Sequence, residues 1–284
     1  MLISERRPGE ASRAAAGMLA PSVERAPGPA HAFGVAARDR YPSYVEFVAD
    51  RTGIVVPLNR LGILQVALSE KGIKGLRKTA LPTTRWLDAK ELRELEPALS
   101  HGLGAMFNPD DGAVDNVVLV SALEKLCTVN DRITQLTALV IRVDPTGDSC
   151  TVRTESSAQY TARHVVIAAG AWAGQISGAR LARAVQPARG QLVSYSSSPL
   201  RHVAYGPRGY VVPRGAVMIA NSGGDGSVLV RVAKSADDRV ERLQGDGEEG
   251  NDCLAAAAHR WLASMDWDRL CQFRAGLSIA IELH

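Results

Sequence analysis

The sequence predicts a mixed α/β fold in which a parallel-sheet half is interleaved with an antiparallel-sheet half. The run His164-Val165-Val166-Ile167-Ala168-Ala169-Gly170 is continuously apolar and ends in small residues, as a parallel strand covered on both faces should be. Short apolar and β-branched runs at 192–195, 203–205 and 209–213 form a block of antiparallel pattern. Helical repeats, Val117–Leu126 among them, stand between the two kinds of strand. On this alternation, 1–51 and 115–186 form one domain, and 52–114 and 187–284 form the other.

The elements follow in order. Met1–Glu5 reads as the end of a short apolar strand that stops at an acid, followed by a Pro8-Gly9 turn. Ser12 is the expected N-cap of a small-residue helix reaching Leu19. After Pro21 and Pro27-Gly28-Pro29, an amphipathic helix from Ala30 to about Thr52 carries Phe33, Ala37, Tyr41, Tyr44 and Val48, and Pro42 is expected to kink or divide it. Ile54–Pro57 and Leu61–Leu68 read as strands, and Glu70–Lys78 and Asp88–Leu95 as helices, the second capped by Asp88 and closed by Pro97. Ala105–Phe107 is a strand before the turn Pro109–Gly112. Ile133–Val143 and Cys150–Thr154 form a hairpin around Pro145-Thr146-Gly147. The strand at 164–170 runs into Trp172 and a short helix, and a last helix is expected at Cys253–Met265. No internal repeat is present.

Composition excludes several classes. A net charge of +3 over 284 residues is too small to argue for nucleic acid or an anionic membrane. No stretch approaches the ~18 apolar residues of a membrane span. Met1–Glu10 is charged early and lacks a signal-like apolar run. Cys127, Cys150, Cys253 and Cys271 are scattered, with no C-x-x-C pair, which argues for free, mostly buried thiols and against zinc. A soluble cytoplasmic protein acting on a small molecule is expected, and a homo-oligomer is left open.

Three features carry chemistry: the stretch from Glu5 to Leu19, the buried strand Val165–Trp172 ending where open α/β sheets place ligands, or merely a core strand with a Gly turn, and Arg189-Gly190-Gln191 with Tyr210–Arg214. A strand ending at Glu5 suits ribose hydroxyls, because a carboxylate accepts two hydrogen bonds there, although any surface Glu after a strand looks alike. Small residues at Ala15-Ala16-Gly17 would let backbone N–H groups approach a flat ring or phosphate, or simply start an Ala-rich helix. Arg189-Gly190-Gln191 leading into strands, and then Tyr210-Val211-Val212-Pro213-Arg214, suit such a site, or simply give a hairpin sheet with an exposed tyrosine.

Glu5-Arg6-x-Pro8-Gly9-x-Ala11-Ser12-x-Ala14-Ala15-Ala16-Gly17-Met18-Leu19, with Asp111-Gly112-x-Val114-Asp115, Ala168-Ala169-Gly170-Ala171-Trp172 and Arg189-Gly190-Gln191-Leu192, resembles the FAD-dependent D-amino-acid oxidase superfamily. Within it, the likeness is nearest to the glycine oxidases of thiamine biosynthesis and runs from about Leu2 to about Ile219. The resemblance implies an incomplete FAD-binding Rossmann-like domain with an antiparallel-sheet substrate domain, and oxidation of the CH–NH₂ group of glycine or a small amine. It places Glu5 and Arg6 at the adenosine ribose, Ala11 and Ser12 along the pyrophosphate, Ala16, Gly17 and Met18 against the flavin, and Leu139 at adenine through its backbone. Tyr210 matches an aromatic residue over the substrate carboxylate.

The family's G-x-G-x-x-G turn is not found ahead of Leu2, and its Trp-x-Gly-Leu-Arg-Pro stretch reads here as Ala275-Gly276-Leu277-Ser278. A chain truncated at both ends, divergent after about Ala220, is therefore expected, with weak FAD binding and no measurable turnover of glycine or sarcosine. Alternative readings are a noncatalytic remnant or interaction module, and an enzyme like sarcosine oxidase or D-amino-acid dehydrogenase.

Overall fold

The structure is a computed structural model. It describes residues 1–7, 10–179, 182, 185, 190–195, 198–207, 209–215, 217–221, 277–278 and 282–283. The chain begins with β1 (Leu2–Ile3), helix α1 (Ala11–Ala14), β2 (Met18–Leu19), helix α2 (Pro21–Glu24) and the long helix α3 (Pro29–Thr52). Then come β3 (Leu58–Asn59), β4 (Ile63–Ala67), α4 (Glu70–Lys78), β5 (Arg85–Asp88), α5 (Ala89–Leu95), β6 (Gly104–Asn108) and β7 (Gly112–Val114). Helix α6 (Asn116–Val129) leads to β8 (Gln135–Leu136), β9 (Val140–Thr146), β10 (Ser149–Thr154) and β11 (Gln159–Ala162). Last are β12 (Gly190–Gln191), β13 (Val193–Tyr195), β14 (Val203–Gly206), β15 (Gly209–Arg214), β16 (Val217–Asn221), β17 (Leu277–Ser278) and β18 (Glu282–Leu283).

The main sheet has the order β17-β13-β16-β15-β14-β4-β6-β5, and every neighbour is antiparallel except β14 with β4. Strand alternation gives this sheet two covered faces. On one face Leu64, Val66, Ala105, Ala204 and Val211 pack with Leu92 of α5. On the other, Ile63, Val203 and Val212 pack with Ala16, Ala20 and Val23 from the chain around β2. The sheet β2-β7-β3 ties that stretch to the strand before α6. Each helix of nine or more residues after α3 starts on a side-chain cap: Ser69 accepts from Gly72 N at 3.1 Å, and Asp115 from Val117 N and Val118 N at 3.1 and 3.0 Å. Asp88 and Glu91 form a full capping box on α5, and the backbone N–H of Glu91, with that of Lys90, holds the Asp88 carboxyl below its ordinary range.

Several expectations are corrected. Residues 165–169 form no strand: Val165, Ile167 and Ala169 pack inward beside Val143 and Val152, while Val166 is 89% exposed. The apolar alternation survives, but among the described residues no strand runs alongside to supply ladder partners, and side-chain pattern alone does not make a strand. Ser12 lies inside α1, whose N-cap is Glu10 with no side-chain cap bond. Helix α3 runs unbroken through Pro42, because Val45 and Val48 anchor it over α6, and Phe33 is 76% exposed rather than on the buried stripe. Ile54–Pro57 is extended but outside any ladder, and β3 starts only at Leu58. The expected strand 133–143 is two: β8 pairs in parallel with β1, and β9 pairs with β10. Cys127 and Cys150 are free but half-buried, not buried. Cys253, Cys271, the 253–265 helix, Pro8-Gly9 and Arg189 lie outside the described residues.

Candidate functional site

The parallel pair β1–β8 brings Glu5 and the 137–139 stretch to one end, the carboxyl ends of both strands, where α/β sheets place ligands. Ser4 N donates to Leu136 O at 3.0 Å and fixes that register. Glu5 and Arg6 are exposed, and Arg7 stacks its guanidinium over Trp172 at 5.6 Å, joining this end to the Gly170–Gln175 turn. The Leu139 carbonyl already accepts from Glu155 N at 2.9 Å. A backbone contact from Leu139 to adenine would therefore have to use its amide.

Glu124 of α6 holds the next stretch in place. Its two oxygens accept from Arg6 Nη2 at 2.7 Å and Arg13 Nη2 at 2.6 Å, and Arg13 Nη1 also reaches Ser121 Oγ at 3.1 Å. Arg6 is thereby committed to a carboxylate on α6. Ala11 and Ser12 are exposed at the start of α1. The Ser12 carbonyl accepts from Asn116 Nδ2 at 2.6 Å, and Asn116 Oδ1 in turn accepts from Arg214 Nη1 at 2.7 Å.

Gly17 has φ +81°, and a Cβ there would sit 2.1 Å from the Val114 carbonyl oxygen. Its lack of a side chain is thus demanded by β7. Ala16, 4% exposed, turns its methyl into the core beside Ile63 and Val212, so only backbone at that position can face a ring. Met18, paired with Ala113, is half-buried against the same cluster.

Tyr210 packs there too. It faces Tyr205 directly across the β14–β15 hairpin, the rings stacked at 6.2 Å and 16°. Burial, with the Glu24 carboxylate adding to it, raises the Tyr205 phenol above its ordinary pKa. The structure therefore makes two groups of the expected residues. Glu5, Arg6 and Leu139 sit around the β1–β8 end, while Ala16, Gly17, Met18 and Tyr210 sit over the main sheet, and Ser12 with Asn116 bridges them.

Sequence reasoning missed Asn116, the stacking of Tyr205 on Tyr210 and the support beneath α2. Asp111, whose side chain is 0% exposed, accepts from Ser22 N at 3.1 Å, Ser22 Oγ at 2.9 Å and Arg38 Nη1 at 2.8 Å. Burial pulls the Arg38 pKa down, but hydrogen bonds to Asp111 and Asp39 outweigh it and hold the guanidinium above its ordinary value. Beside it a cavity of about 220 Å³ opens between β2, α2 and α3, lined by Met18, Leu19, Glu24, His31 and Tyr41 among others. Asp111 had an advance signal, through its motif.

Among the described residues no cluster of His, Cys, Asp and Glu is placed to hold a metal, and no helix is long and apolar enough to cross a membrane. The exposed Glu5 carboxylate at a parallel strand end, with the open start of α1, fits the adenosine half of a dinucleotide. Met18 and the Ala16–Gly17 backbone fit one edge of a flat ring.

Comparisons with known proteins show the family. The sequence profile of the DAO family, described as FAD dependent oxidoreductase, matches residues 1–279. The bifunctional protein ThiO/ThiG of Synechocystis is 33% identical over 214 residues, which is 72% of this chain and 31% of that protein. The glycine oxidase of Bacillus licheniformis is 30% identical over 211 residues, 72% of this chain and 57% of that protein. Among solved structures, glycine oxidase from Geobacillus kaustophilus has a TM-score of 0.75 at 24% identity, covering 98% of this chain and 74% of that one. Iminodiacetate oxidase from Chelativorans has a TM-score of 0.73 at 18% identity, covering 99% and 75%. The chain spans about a third of the bifunctional relatives and 57% of the glycine oxidases it matches.

Proposed function

Because the chain belongs to the DAO family of FAD dependent oxidoreductases, we propose that it takes part in oxidation of the CH–NH₂ group of glycine or a small amine. The observation that supports this most is the meeting of Met18 and Tyr210 on one cluster, with Glu5 at the far end of the same run of chain. The glycine oxidases and ThiO/ThiG proteins among its relatives favour glycine and a role in thiamine biosynthesis. A cytoplasmic setting suits the free thiols of Cys127 and Cys150. The division into an FAD half (1–51, 115–186) and a substrate half (52–114, 187–284) is part of the reading, supported by the main sheet drawing its strands from 63–108 and beyond 193.

When bound, FAD supplies the acceptor for the two electrons lost from the substrate's C–N centre. The protein's own share is orientation. Glu5 would accept from ribose hydroxyls, and the open start of α1 at Ala11–Ser12 would lie along the pyrophosphate. Met18 and the Ala16–Gly17 backbone would wall the ring, and Tyr210 would donate its hydroxyl to the substrate carboxylate. The stacked Tyr205 limits the swing of the Tyr210 ring.

The unlaced 165–169 segment favours a second reading, a noncatalytic binding module, since it leaves β1 with β8 as its described partner. FAD is accordingly expected to bind more weakly than in family members where that segment forms a strand. Steady peroxide release from glycine or sarcosine is expected to stay below detection. The discriminating experiment is anaerobic mixing of the FAD-loaded chain with glycine, sarcosine and D-alanine. Bleaching of bound flavin by glycine supports the oxidase reading, whereas bound flavin bleached by none of them supports the module.

A further inference from the structure

Helix α4 gathers a charge that the chain as a whole does not show. The net charge is +3 over 284 residues, yet Lys71, Lys74, Arg77 and Lys78 fall within nine residues, against the single acid Glu70. All four cations are exposed, and among the described residues none has a carboxylate within salt-bridge distance. Lys71, Lys74 and Lys78 stand three and four residues apart, on one face of the helix. The side that carries Ile73 and Leu76, both half-buried, lies on β4 and β6, and no residue of α4 is fully buried. A fifth cation borders the row: Arg25 donates to the Thr79 carbonyl at the C-terminal end of α4, where positive charge also meets the helix dipole.

The make-up of the row says which partner it fits. Protein interfaces are built on buried aromatic or arginine anchors and are depleted in lysine. The outward face of α4 offers three lysines and no exposed large apolar side chain. Single-stranded nucleic acid is held on aromatic rings against which bases stack. Trp86, the ring beside α4, is covered by the Arg77 guanidinium at 4.7 Å and abuts Gly104, where a Cβ would come within 2.5 Å of its Cζ2. It is not free to stack on a base. Ammonium groups on flexible four-carbon stems suit a partner whose negative charges are spread over a surface and rearrange within it, and anionic lipid headgroups are such a partner. With no apolar side chain to insert, contact stays at the headgroup level. We infer that the outer face of α4 is a peripheral docking surface for an anionic bilayer, held by Lys71, Lys74, Arg77 and Lys78. The inference does not depend on the oxidase reading, since none of these residues is placed at the flavin or the substrate.

The test is co-sedimentation of the 284-residue chain with vesicles of phosphatidylcholine, with and without about 30% phosphatidylserine. Binding is expected only to the mixed vesicles, and it should be lost at about 0.5 M salt, where screening shortens the reach of each charge to a few ångströms. Lys71→Glu, Lys74→Glu and Lys78→Glu together should weaken it at least about a hundredfold, from roughly fivefold for each lysine lost. The same three positions changed to Gln should weaken it in the same direction by a smaller factor. Arg40→Glu, Lys125→Glu and Arg132→Glu together change the net charge equally at exposed positions away from α4, and should weaken binding by less than about fivefold. Unfolding midpoints identify any variant that fails to fold, and if the Glu triple at α4 does so, the Gln triple decides. No binding to the mixed vesicles at low salt, equal binding to phosphatidylcholine alone, or equal losses in the two Glu triples would overturn the inference. Capture of duplex DNA or polyglutamate through the same lysines, by a chain that ignores the vesicles, would also overturn it and assign the row to a nucleic acid or an acidic protein.

Discussion

Asp111→Ala removes the acceptor that holds α2 and α3 to the β6–β7 turn. The carboxylate is fully buried, and its partner Arg38 has a side chain only 11% exposed, so little water is present to take over either role. The substitution strands the guanidinium and leaves Ser22 N and Oγ without their acceptor. Removing one partner of a buried ion pair costs about 3–5 kcal/mol. At about 2–4 °C per kcal/mol for a large domain, the melting midpoint should fall by roughly 6–20 °C. The assay is urea or thermal unfolding of Asp111→Ala, Arg38→Met and the double variant. The double variant should cost less than the sum of the singles, since it removes both charges together. A loss below about 1 kcal/mol for Asp111→Ala would refute the reasoning, because exposed pairs are worth that little.

Gly17→Ala should destabilise by about 3 kcal/mol or more, from positive φ and overlap with the Val114 carbonyl, and unfolding by denaturant measures it. Glu96→Ala should cost a similar ~3 kcal/mol, since the buried Glu96 Oε2 accepts from Arg201 N at 3.1 Å, His202 N at 3.0 Å and bonds His202 Nδ1 at 2.8 Å; Glu96→Gln, which keeps an oxygen, should cost less. The raised Tyr205 phenol implies that the folded state holds its proton after the unfolded chain has lost it. Its contribution is complete below the ordinary tyrosine value of about 10 and is lost as pH rises through the folded value. Tyr205→Phe should flatten that alkaline decline and remove one late phenolate from the absorbance titration.

Much of the fold was legible because it rested on local signals. Helix α4 and the capped α5 could be read from Asp88 and the helical patterns, and the β14–β15 hairpin from Val203–Tyr205 and Gly209–Pro213. The 165–169 segment was misread because its apolar run reports burial tendency, while a strand needs a neighbour the run cannot specify. The link between Asn116 and Arg214 was invisible for a related reason. They are 98 residues apart in sequence, and although Arg214 closes the Tyr210–Arg214 motif, only the fold puts an amide between its guanidinium and the Ser12 carbonyl. Gly17 was expected at the flavin; that its missing side chain is also required by the Val114 carbonyl could not be read from the motif.

The most direct test of the flavin site is titration of the purified chain with FAD, followed by quenching of flavin fluorescence, in wild type and in Glu5→Ala. Glu5 is exposed, so this variant should fold normally and report on binding alone. Saturable quenching is expected, weakened roughly tenfold in Glu5→Ala by loss of a charge-assisted hydrogen bond to ribose. No saturable quenching at excess FAD, or binding indifferent to Glu5→Ala, would contradict a flavin held along Glu5–Met18.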